Sequence, residues 1–420
     1  MTKSFQSLFA AIALLLALSS CQGPNTDVYE WRGVDRAGIY PDQNLLKEWP
    51  EDGPPLVWEF GELGQGYGSP VFTRNGMYIM GEADSLGILF AFDLEGKLLW
   101  KSDYGTEWMK NYKGPRCAPT IAGDQVYVMS GMGRITCFNR HTGEKEWTIG
   151  MMEDLNGVFP LFGHTEALAV DRHRIFCTPG GRDTNVVALD RFTGEILWIS
   201  SGRGERPGYN QPKVIRLPER NILVTYTAYE MLGLDTETGE LLWVHEQDNT
   251  PVEERRPGMG DTHSNTVLFE DGFIYYAAGD GNCGVKLELA PDGSSIREVW
   301  RLKEFDSYMG GIVKIGDYLY GGNATKPNLM SVNALTGEPG MTLGVGSGAL
   351  IAADGMLYYY TTRGDMMLIT ADPLNMEVKG KFKITKGTNE HFAHPVINDG
   401  KLYVRRGGVL MAFELGERLQ

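Results

Sequence analysis

The sequence is poor in several of the residues and patterns that make a chemistry easy to assign. Five cysteines and seven histidines are spread over 420 residues. No C-x-x-C-H occurs, so the chain has no attachment site for a covalent haem. Lys and Arg number 39 against 54 Asp and Glu, a formal charge of −15. That balance excludes a nucleic-acid backbone as partner and keeps the folded part from lying flat on anionic lipid. Glycine-rich stretches do not open helices. CTPGGRD (177–183) follows a strand pair and GELGQGYG (61–68) precedes no helical periodicity, so neither reads as a phosphate or dinucleotide loop.

An apolar run, FQSLFAAIALLLALSS, follows Lys3, too short and too early to span a bilayer. It reads as a secretory signal, residues 1–20. Leu18, Ser19, Ser20 and Cys21 resemble the lipobox of bacterial lipoproteins, which implies cleavage before Cys21 and acylation of its thiol. Residues 21–28 then form a lipidated, polar tether. The expected location is the cell envelope, anchored by lipid, facing the periplasm from the outer membrane. Cys117, Cys137, Cys177 and Cys283 lie in strand-like apolar segments and read as buried free thiols.

What the chain does have is glycine (54 residues), aromatics (11%) and a repeated phrase. AFDLEGKLLW (91–100), CFNRHTGEKEW (137–147), ALDRFTGEILW (188–198) and GLDTETGELLW (233–243) are near copies; LELAPDGSSIREVW (287–300) and SVNALTGEPGM (331–341) are looser ones. Each is an apolar pair, an Asp or Asn, a Gly-containing turn and a segment that usually ends in Trp, which is a hairpin signal. The acidic or amide side chain can accept turn N–H groups, and Gly takes the positive-φ position. Trp58, Trp100, Trp147, Trp198, Trp243 and Trp300 then recur about every 50 residues as structural wedges between units. Eight further turn-and-strand phrases, from RNGMYIM (74–80) to NDGKLYVR (398–405), precede or separate these copies. Four-stranded antiparallel units at this period predict an all-β, eight-bladed β-propeller over residues 29–420. LVWEF (56–60) is an outer strand without inner partners, and GGVLMAFEL (407–415) ends without an outer one. Pairing the two completes the last blade and removes two open sheet edges.

The motif A-x-D-x-x-T-G-x-x-x-W at 188–198 resembles the repeat of the PQQ-binding-like, quinoprotein-type β-propellers, over roughly residues 29–420. That resemblance implies one of two roles. One branch holds dehydrogenases of alcohols or sugars that carry pyrroloquinoline quinone and Ca²⁺ on the propeller axis. The other holds BamB-like envelope lipoproteins, binding or scaffold modules that associate with outer-membrane assembly proteins. The chain lacks the adjacent Cys-Cys pair many of those dehydrogenases carry, and their added length.

In a propeller, the segments leading into the innermost strands converge on one mouth of the axial channel. Here they carry Arg116, His164, Glu166, Asn210, Gln211, His263, Asn265, His391 and His394 as candidate ligand-binding residues. Three readings stay open. His164, His263 and His391 can bind a transition metal, or Glu166 and Asn265 can give oxygen to Ca²⁺, for a metal-assisted carbohydrate-active site. Arg116 and the histidines can bind an acidic sugar or a quinone carboxylate, with His164, Glu166 or His263 as catalytic base. Or these polar groups simply hydrogen-bond the backbone between blades.

Overall fold

The computed structural model describes residues 28–209, 211–246 and 250–416. Nearly every element in it is a short antiparallel strand, and the strands gather into eight sheets. Seven blades are continuous in sequence: 71–106, 120–150, 169–200, 213–246, 268–302, 307–343 and 348–383. The eighth joins Val396–Asn398, Lys401–Arg406 and Val409–Glu414 to Leu56–Phe60, with Trp58 opposite Ala412. The two ends of the chain therefore close the ring within one blade, as the sequence predicts.

The repeated phrase works between blades as well as within them. In blade 3 the Asp190 carboxylate accepts the N–H groups of Phe192 (2.8 Å) and Thr193 (3.1 Å), which fixes the turn. Asn139, Asp235 and Asn333 do the same in blades 2, 4 and 6. Gly194, at φ +77°, follows that turn, and a Cβ there would stand 2.9 Å from the Trp147 ring of the preceding blade. Trp100 meets Gly143, Trp198 meets Gly239, Trp300 meets Gly337, and Trp58 meets Gly96 across the ring closure. The indole N–H of Trp147 donates to Arg191 O at 2.9 Å and that of Trp198 to Thr236 O at 3.0 Å. Trp and Gly thus recur together because each tryptophan packs on the next blade's turn. Blade 5 breaks the rule: Gly293 meets Ile222 and Leu217 instead, and the buried Trp243 N–H has no partner. Blade 7 ends in Val378–Lys383 without a tryptophan, and Trp49 fills the slot from outside, edge-on to Phe382 at 5.5 Å. Trp147→Ala is expected to cost about 3–5 kcal/mol in chemical denaturation, the range for deleting a packed aromatic. The half-exposed blade-5 surface residue Val299 changed to Thr is expected to leave stability within about 0.5 kcal/mol.

Residues 28–40 take no part in the repeat, and they do something the sequence did not suggest. Val28–Tyr29 adds antiparallel to the innermost strand of blade 2, with Val28 opposite Ala122. Ile39–Tyr40 adds in parallel to the innermost strand of blade 7, with Tyr40 opposite Ala353. The chain therefore climbs the bore from the face remote from the lead-in segments, turns, and descends on the other side. Two arginines pin the turn. Arg32 donates to Leu350 O and Ile312 O, both at 2.7 Å, and Arg36 to Ala167 O and Leu168 O, both at 2.9 Å. A buried guanidinium has five donors, and here they satisfy carbonyls on inner strands from several blades. Residues 28–40 thus seal the channel, with Trp31 at the top of the seal. The signal segment, Cys21 and the tether up to residue 27 lie outside the described residues. Cys117, Cys137, Cys177 and Cys283 are buried and free.

Candidate functional site

With the bore sealed, its lead-in end is a cup of about 200 Å³, far larger than a one-water gap. Every blade but the seventh contributes a wall. Strand-like backbone points successive side chains to opposite sides, so four of the lead-in segments send alternate residues into the cup. The rule shows in pairs two apart: Tyr67 and Ser69, Tyr209 and Gln211, Thr262 and Ser264, Phe392 and His394. Trp31 is the floor, edge-on to the His394 ring at 4.8 Å. Aromatic rings continue around the wall, Phe392 to Tyr112 at 5.9 Å, Tyr112 to Phe162 at 5.9 Å, and Phe162 to Tyr209 at 5.6 Å.

That alternation sorts the candidate residues. Arg116, Gln211 and His394 line the cup. Glu166 turns the other way; it is buried and accepts from the Thr178 N–H (3.1 Å) and hydroxyl (3.2 Å). His263 also points away, with Nε2 2.7 Å from Ala228 O and Nδ1 accepting from Asn282. Asn265 is fully used between blades 5 and 6, donating to Ala277 O and Ser307 O and accepting from Gly311 N–H. His164 is buried beside Phe159, and its Nε2 has no partner. His391 stands in a neighbouring cleft against the Tyr360 hydroxyl, 2.5 Å away. Asn210 lies outside the described residues. Among the described residues no three His, Cys, Asp or Glu side chains gather as a metal site. His164, His263 and His391 are held in three separate surroundings, which leaves the metal reading without an assembled ligand set.

Electrostatics separate the residues further. His394 is fixed in one tautomer: Arg32 can only donate to its Nδ1 (3.1 Å), so its Nε2–H donates to Met309 O (2.7 Å). Burial, helped by the Arg32 charge, drives its pKa down to about 3. His164 falls to about 3 through burial and the Arg116 charge, and His263 to about 4 through burial. All three are neutral at pH 7. Burial pushes the Glu166 carboxyl up to about 7, against the two Thr178 hydrogen bonds. Its folded-state pKa lies above the ordinary carboxyl value, so stability falls as pH rises from about 4.5 to about 7. Glu166→Gln is therefore expected to stabilise the fold by about 3 kcal/mol at pH 8 and by almost nothing at pH 4.5, read from denaturant midpoints at both pH values.

Arg116 is the one cation among the described cup residues. Its guanidinium lies over the Trp108 ring at 5.6 Å, and its three nitrogens are buried without a hydrogen-bond partner. The nearest anion, Glu107, is already used by the N–H groups of Trp108 (2.7 Å) and Gly131 (2.6 Å) and by the Tyr104 hydroxyl (2.9 Å). Burial lowers the Arg116 pKa to about 10, which still leaves it charged. Three of the other polar groups are satisfied internally. Ser69 donates to His394 O, Thr165 to Tyr209 O, and Gln211 donates to Thr165 O while accepting from Ala167 N–H, all at 2.8 Å. The described lining contains no Asp, Glu or Asn, so it offers no carboxylate to hold Ca²⁺ beside a quinone. The residues present do not fit the quinone and calcium pair. Seven of the eight lead-in segments converge on the cup, and the aromatic wall they carry went unread in the sequence, although the i, i+2 spacing of aromatic and polar residues signals it.

The fold is similar to BamB from Moraxella catarrhalis, at TM-score 0.62 and 14% identity over 86% of this chain and 100% of that one. It is also similar to a quinohemoprotein alcohol dehydrogenase from Comamonas testosteroni, at 0.67 and 12% over 92% and 80%. A europium-containing methanol dehydrogenase matches at 0.63 and 12% over 90% of each chain. Identities this low show a shared fold alone. No curated protein matches by sequence. Residues 85–342, more than half the chain, match the family described as outer membrane protein assembly factor BamB. The chain is a member of that family, an eight-bladed propeller of the BamB type.

Proposed function

We propose that the protein is a lipid-anchored binding module of the cell envelope, associated with the outer membrane, and that the sealed cup is its ligand site. The carrying observation is the buried, unpartnered guanidinium of Arg116 in an aromatic cup. A charge desolvated at that cost is retained where a partner completes it. Val28 pairs near the far end of the blade-2 inner strand, on the face opposite the cup. A tether of seven residues from Cys21 reaches about 25 Å at most, so the cup opens away from the membrane. The rest of the ring, with its long rim, is available to envelope assembly proteins.

Two experiments test this reading. Cys21→Ser should move the protein from the membrane to the soluble fraction and abolish incorporation of a clickable palmitate; persistence of the label would refute the anchor. Hydrogen exchange with and without a small-molecule envelope extract should show new protection in residues 115–119 and 209–213. No change in either segment removes the cup as a ligand site.

A further inference from the structure

We infer that the cup's ligand is an organic monocarboxylic acid on a flat ring system with few hydroxyl groups, its carboxylate held by Arg116. This rests on the cup being a binding site, and three observations narrow its chemistry. First, the charge. Arg116 is the only cation among the described lining residues, and burial keeps the neighbouring His394 neutral. One guanidinium matches one carboxylate through two parallel N–H···O bonds. A molecule with several carboxylates would bring in charge that this lining does not offset.

Second, the surface around the cation is apolar. Trp31, Tyr67, Tyr112, Phe162, Tyr209 and Phe392 form floor and wall, a surface suited to offset or edge-on ring contacts. Third, three of the polar side chains of the lining are spent. The Ser69 and Thr165 hydroxyls and both ends of the Gln211 amide already bond within the protein. A sugar brings several hydroxyls that lose water on entry and need new partners, and unmade bonds there are costly. A ring acid asks for one bond pair, and the guanidinium supplies it. The guanidinium nitrogens are covered in the unliganded cup, so Arg116 swings off the Trp108 ring to meet the carboxylate.

The test is calorimetric titration of the full-length protein with 2-naphthoate, its neutral isostere 2-naphthamide, and glucuronate. The expected result is naphthoate binding at least tenfold tighter than naphthamide, with glucuronate silent. Arg116→Gln should erase the acid–amide difference while naphthamide affinity stays within twofold. Equal binding of acid and amide by the wild-type protein overturns the carboxylate, without need of any variant. Glucuronate binding in place of naphthoate overturns the ring chemistry but leaves the cup a binding site. Silence of all three probes overturns the inference; the binding-site reading falls only with the exchange experiment on envelope extract.

Discussion

Between pH 6.5 and 4.5 the fold is expected to lose several kcal/mol of stability, most of it from imidazoles buried in neutral form. His164 and His394 titrate near 3 in the folded chain and His263 near 4, against 6.5 when exposed. A depressed folded-state pKa means that the unfolded chain binds the proton first. Stability is therefore complete above about 6.5 and declines as pH falls. Each group contributes about 1.4 kcal/mol per pH unit, so three lose about 8 kcal/mol by pH 4.5. Glu166, displaced upward, works in the opposite direction and returns about 3 kcal/mol over the same range. The net loss from these four groups alone, about 5 kcal/mol, is comparable to the whole stability of many domains. Denaturant midpoints taken every half pH unit should fall steeply below pH 6. His164→Leu tests the cause, because its Nε2 has no partner to orphan. That variant should remove about one proton from the slope. A slope identical to wild type would assign the acid lability elsewhere.

The second large effect concerns the seal. Arg32→Ala leaves Leu350 O, Ile312 O and His394 Nδ1 without their donor, all within a buried bore. Removing one partner of such a network costs about 1–3 kcal/mol per stranded group, so a total of about 3–9 kcal/mol is expected. The loss should be local in character. Residues 28–40 should exchange their amides far faster than the inner strands of blades 2 and 7, while the ring persists. Arg32→Lys should recover little, since a single ammonium cannot reach carbonyls on two blades at once. A variant that melts as one unit, with seal and blades exchanging together, would show that the segment is part of the ring's cooperative core.

The architecture was legible because the repeated residues do the same physical job each time. Asp190 or its equivalent fixes a turn, Gly194 or its equivalent leaves room, and the tryptophan before it fills that room. The missing outer strand at 396–414 and the solitary one at 56–60 made ring closure readable from the ends alone. The candidate site was half legible. The lead-in segments do meet at the cup, blade 7 excepted, yet phase was not fixed by residue type. In GHTEA the polar His164 and Glu166 face the interblade core while Thr165 faces the cup. In THSNT, His263 and Asn265 hold backbone groups and Thr262 and Ser264 face the cup. A buried polar residue that satisfies backbone looks in sequence like one waiting for a ligand. The three tryptophans outside the repeat, Trp31, Trp49 and Trp108, marked the floor, the blade-7 slot and the arginine's resting place. Nothing periodic flagged them, because each acts once.

A one-ended bore is what turns a propeller axis into a cup here, and amide exchange of the wild-type chain reads it most directly. Residues 28–40 should be protected to the same degree as Thr120–Ala122 and Gly348–Ala353, the inner strands they pair with. Exchange of that segment within seconds, with both inner strands still protected, would mean an open channel and no floor at Trp31.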